Sequence, residues 1–71
     1  MDLERAIDEE MDNRYDGSGV FTMRVAARPT QIGPVINTGT LMELRRLYVA
    51  WIIDYRASDT TAWLEFRARQ E

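Results

Sequence analysis

Cysteine, histidine and lysine are absent from these 71 residues, proline occurs twice and glycine four times. Without cysteine there is no disulfide and no thiolate chemistry, and without cysteine or histidine every zinc pattern built on those ligands is excluded. The same absences remove the usual general base and both the Ser-His and Cys-His routes to nucleophilic catalysis. No apolar run approaches a membrane span, since the longest, Leu47 to Ile53, has seven residues. The opening Met1-Asp2-Leu3-Glu4 is acidic, where a secretory signal would be basic and then apolar. These absences together predict a non-enzymatic protein without cofactor or metal, expected in the cytoplasm of a bacterial or archaeal host.

A chain of 71 residues makes one small domain, here read over residues 1–71. Such a domain buries only about 60% of the surface its unfolded chain exposes, so its stability margin is thin. Small folds recover that margin with disulfides, a metal or a partner chain. The first two being excluded, a partner chain is expected, either another protein or a second copy.

Charge is distributed unevenly. Residues 1–16 carry seven carboxylates against two arginines, a net of −5, while the remainder is +2, giving −3 in all. All nine basic residues are arginine, the side chain suited to bidentate and stacked contacts at interfaces.

Periodicity divides the chain into elements. Leu3, Ile7 and Met11 recur every four positions and predict an acidic N-terminal helix over 2–14, stopped by Asp16-Gly17-Ser18-Gly19. Val20 to Arg28 alternates as a strand, with Phe21, Met23, Val25 and Ala27 on one face, and Pro29 ends it. A loop is expected over 29–39, in which Val35-Ile36 could add a short edge strand. A main helix is predicted over 41–56, with Thr40 as N-cap and Glu43 completing a capping box. Residues 60–69 alternate as a strand, Ala62, Leu64, Phe66 and Ala68 inward and Trp63, Glu65, Arg67 and Arg69 outward. The expected fold class is therefore α+β: a single small domain in the order α-β-(β)-α-β, its helices packed on a short, mainly antiparallel sheet. The alternative is a mostly α domain with the last segment helical.

Candidate chemistry is sparse. The carboxylate pairs Glu9-Glu10 and Asp12-Asp16 would need a sugar-holding cleft to act as glycosidase pairs, and they read instead as a solvated helix face. The stretch from Asp12 to Gly17 places Arg14 where a calcium loop needs an oxygen ligand. Gly17-Ser18-Gly19 precedes a strand and lacks the third glycine of a phosphate loop.

Three surfaces remain. On the predicted main helix, Met42, Val49 and Ile53 form a second apolar stripe flanked by Arg45, Arg46 and Arg56, which has the anatomy of an interface core and rim. On the predicted sheet, Arg24, Arg28, Arg67 and Arg69 surround Trp63, an arrangement able to meet an acidic protein or a nucleic acid. The acidic first helix would either cover that basic face or, through Asp8, Glu9, Asp12 and Asp16, imitate a nucleic-acid backbone. The net negative charge weighs against nucleic acid.

The leading expectation is a non-catalytic protein-binding modulator, an inhibitor of a larger host machine. In size, composition and element order the chain is similar in kind to the small phage and mobile-element proteins that block host machinery, such as anti-CRISPR proteins and polymerase inhibitors. No matching residues carry that likeness. The competing expectations are a small DNA-binding transcriptional regulator and a structural subunit of a larger assembly.

Overall fold

The computed structural model describes residues 2–70. Its elements run α1 (Asp2–Arg14), β1 (Val20–Val25), α2 (Thr38–Leu47), β2 (Trp51–Ala57) and β3 (Ala62–Ala68). This is a small α+β domain in the order α-β-α-β-β, with one antiparallel sheet of strand order β1-β3-β2. No helix among the described residues is long and apolar enough to cross a membrane.

Helix α1 follows its four-residue stripe, with Leu3 and Ile7 in the core and Met11 half-buried beside it. Past its end, the Asp16 carboxylate accepts the Ser18 N–H at 2.9 Å, and Gly17 and Gly19 turn with φ of +82° and +87°. The chain then enters β1, where Phe21, Met23 and Val25 point into the core and the residues between them point out.

β1 is shorter than the predicted strand over 20–28. Alternation fails at Ala26, which is buried in place of Ala27. Ala26 leaves β3 and exchanges hydrogen bonds of 2.8 Å with Pro34 and Ile36, a single parallel bridge to Val35 that is all that forms of the suggested edge strand. The buried Gln31 accepts the Ala27 N–H at 2.8 Å and holds this loop in place.

The predicted helix over 41–56 is half helix and half strand. Its N-cap is Asn37, not Thr40: the Asn37 side-chain oxygen accepts the Thr40 N–H at 2.9 Å, and Glu43 pairs with Arg46 at 3.1 Å in place of closing a capping box. Asn37→Ala is expected to cost about 1 kcal/mol and to lower the midpoint of thermal unfolding by about 4–8 °C, read by circular dichroism. At the other end, the Tyr48 N–H bonds to the Leu44 carbonyl while φ −102° and ψ 64° take the backbone out of the helix. A tight turn through Val49 and Ala50, closed by the Trp51 N–H on the Tyr48 carbonyl at 3.0 Å, starts β2.

β3 alternates as expected from Ala62 to Phe66, while Ala68, expected inward, is exposed at the strand's end. The strand lies between the other two, which excludes the mostly α alternative. Phe66 pairs with Phe21 on one side and Ile53 on the other, and Leu64 with Met23 and Tyr55. Those residues, with Leu3, Ile7, Ile36 and Leu44, make the core between the sheet and the two helices. Phe66 is its centre, with ring centroids at 5.8 Å from Phe21 and 6.2 Å from both Tyr48 and Trp51.

Candidate functional site

Because both helices pack on one side of the sheet, strand parity sends every other side chain to a face that no element among the described residues covers. The register assembles that face into three rows of three. Arg24, Trp63 and Arg56 lie side by side; next come Thr22, Glu65 and Asp54; then Val20, Arg67 and Ile52. Two guanidiniums thus flank one indole, and two carboxylates sit together in the adjoining row. A shallow groove of about 460 Å³, lined by Arg14, Thr22, Arg24, Thr61 and Trp63, runs along the β1 side of the indole.

The charges on this face are unequally satisfied. Asp54 is met by Arg67 at 3.1 Å and by Arg45 at 4.0 Å. Arg45 also donates from Nε to the Ile53 carbonyl at 2.9 Å, occupying one acceptor on the unpaired edge of β2. Among the described residues, Arg24, Arg28, Arg56 and Glu65 have no ion-pair partner.

The apolar stripe expected on residues 42–56 is not assembled. Met42 is 60% exposed on α2 and Val49 is 68% exposed in the turn, but Ile53 is 1% exposed and belongs to the core. The break after Leu47 is the cause: once β2 begins, Ile53 falls on the inward side and Arg56 on the open face. Arg45 and Arg46 remain on α2, engaged with Ile53 and Glu43.

The basic set is partly gathered. Arg24, Trp63 and Arg67 share the open face, Arg28 lies in the loop beyond β1, and Arg69 follows β3 with its Nε on the Val49 carbonyl at 2.9 Å. Ile52 and Asp54 are the members that sequence reasoning missed, and Arg56, expected beside the apolar stripe of the predicted helix, belongs to this face. Their alternation with Trp51, Ile53 and Tyr55 was the signal, hidden by a spacing that also suits a helix.

The acidic set splits. Asp8, Glu9 and Asp12 are exposed on α1, while Asp16 lies beyond it and serves the turn. Its hydrogen bonds from Ser18 hold the Asp16 carboxyl below the usual carboxylate value. Asp8 accepts the Tyr48 hydroxyl at 2.7 Å. Burial, then that hydrogen bond and the Asp8 charge, push the Tyr48 hydroxyl well above its ordinary value and keep it a neutral donor. Leu3 and Ile7 hold α1 against the inner face, so the acidic helix does not cover the basic one.

No protein-family model, no curated protein and no solved structure matches this chain.

Proposed function

We propose that this chain is a non-catalytic protein-binding modulator that docks the open face of its sheet on another protein chain. The observation that carries the reading is the uncovered row Arg24–Trp63–Arg56. Tryptophan and arginine are the residues that concentrate binding energy at protein interfaces, where an apolar centre is desolvated inside a polar rim. Val20 and Ile52 extend the apolar part of the face beyond the charged rows. A role as an inhibitor of a larger machine in a bacterial or archaeal cytoplasm is consistent with a module that offers a surface and little else.

The nucleic-acid reading is favoured by the same arginines and disfavoured by their neighbours. Arg67 is neutralised by Asp54, Arg69 is tied to a backbone carbonyl, and Glu65 stands between the basic rows. A phosphate backbone crossing the face would meet two carboxylates, whereas a protein surface can offer cations to them.

The test is affinity capture with the purified full chain and with Trp63→Ala, each checked for fold by circular dichroism. Loss of a hot-spot tryptophan is expected to weaken capture of a specific protein by about 30-fold, the equivalent of roughly 2 kcal/mol. Equal capture by the two proteins, or capture of nucleic acid with a steep salt dependence, would overturn the proposal.

A further inference from the structure

The charge rows on the open face are complementary to themselves. Along a strand, side chains on one face recur about every 7 Å, neighbouring strands lie about 4.8 Å apart, and two packed sheets stand about 10 Å apart. Consider a two-fold axis in the plane between two such faces, running across the strands midway between the first and second rows. It lays each side chain of the first and second rows over the residue of the other row on the same strand of the second copy. Arg56 then faces Asp54 of the second copy, Trp63 faces its Glu65, and Arg24 faces its Thr22, with each pairing made twice. An axis running along the strands would instead set Arg24 over Arg56 and Glu65 over Glu65. The stripes therefore select one orientation and penalise the other.

We propose that the open sheet face binds a second copy of this chain, face to face about that two-fold axis. This rests on the reading of the face as a protein interface and names its occupant. Three observations support it beyond the complementarity. Glu65 and Asp54 stand directly opposite each other on paired strands, an unfavourable juxtaposition of like charges. Arg67 relieves Asp54, but Glu65 has no ion-pair partner among the described residues, and neither do Arg24 and Arg56 in the adjoining row. The second copy brings Trp63 over Glu65 and sets Arg24 diagonally across from that carboxylate. Finally, a 71-residue domain without disulfides gains from any partner that covers its one open layer. The pairing is isologous, so it closes at a dimer and leaves the acidic α1 helices on the two outer surfaces.

Sedimentation velocity of the purified full chain, from micromolar to millimolar concentration and at low and high salt, tests this directly. The expected result is a reversible dimer that weakens as salt rises. Arg56→Asp and Asp54→Arg are each expected to weaken it at least about tenfold, because each sets like charges together. An equimolar mixture of the two variants should then form a heterodimer of near-original affinity, since both of its charge pairs are again opposite in sign. Trp63→Glu sets a glutamate over Glu65 and is expected to weaken the dimer in the same way, whereas Glu65→Arg sets an arginine over the Trp63 indole and should not. Mixing the two sets the introduced glutamate over the introduced arginine and should recover pairing, a second test that leaves Asp54 and its arginines untouched in case Asp54→Arg fails to fold. A monomer at every concentration, a dimer indifferent to these substitutions, or folded variants that fail to recover on mixing would each overturn the proposal. A monomer whose capture of another protein still depends on Trp63 would sink self-pairing alone and leave the protein-binding reading standing.

Discussion

Phe66→Ala is expected to remove most of the domain's stability, leaving a large unfolded fraction at 25 °C. Phe66 is fully buried on the central strand, and its ring touches both edge strands and the turn that follows α2. Truncating a buried phenylalanine costs about 3–5 kcal/mol, from lost transfer energy plus the cavity left behind. A chain of this length has about 4–10 kcal/mol in total at the usual stability per residue. The cavity cannot be filled cheaply, because Phe21, Tyr48 and Trp51 come from three different parts of the fold and each is anchored elsewhere. Tyr48, for one, is held by its hydroxyl to Asp8 on α1. Urea unfolding followed by tryptophan fluorescence measures the loss. Phe66→Leu, which retains most of the volume, should cost less than about half as much. A loss below about 1.5 kcal/mol for Phe66→Ala would mean that the cluster collapses around the gap and that Phe66 is not the centre on which the core depends.

How far the sequence could be read depended on whether local and long-range preferences agreed. In α1 they agree: the four-residue stripe, the acidic first turn and the glycine-rich stop all point one way, and Asp2–Arg14 is helical as predicted. In β3 they agree again, for a strict alternation rich in aromatic residues can be buried only as a strand. They conflict over residues 41–56. Leu41, Leu44, Tyr48, Trp51, Ile52 and Tyr55 share a helical face at about 100° per residue, and no glycine or proline interrupts them. The same stretch alternates at Trp51, Ile53 and Tyr55, and it becomes aromatic and β-branched after Leu47. β3 offers those residues a full ladder of hydrogen bonds along its second edge, and tertiary pairing overrides a helical spacing that only a window could see. Arg45 and Arg46 in the last helical turn were the local sign of an ending. That one boundary decided the legibility of the surface. With residues 51–57 read as helix, Arg56 joined the wrong set, Ile53 was offered to a partner while it belongs to the core, and the row beside Trp63 could not be drawn. Arg24, Trp63 and Arg67 were placed on one face because they depend only on the two strands that alternation had identified.

Gly33→Ala is the second substitution expected to act strongly, at about 2–6 kcal/mol, although Gly33 contributes no side chain to anything. Its φ of +127° is a conformation that residues with a Cβ rarely adopt, worth about 1–3 kcal/mol of strain. A Cβ there would also stand 2.8 Å from both the Arg24 carbonyl oxygen and the Val25 Cα. Those are backbone atoms of a paired strand and cannot step aside as a flexible side chain could, so relief must come from the loop, at about 1–3 kcal/mol for overpacking. Moving the loop breaks the 2.8 Å bonds that join Ala26 to Pro34 and Ile36, and Ile36 adjoins the N-cap of α2. Gly17→Ala is the control. Gly17 has a left-handed φ of +82°, but a methyl group added there would meet nothing within 4 Å, so only the conformational cost of about 1 kcal/mol is expected. Urea unfolding of both variants separates strain from collision, and hydrogen exchange at the Ala26 and Ile36 amides locates the damage. If Gly33→Ala costs no more than Gly17→Ala, the close approach of the loop to β1 is not what fixes the strand carrying Arg24.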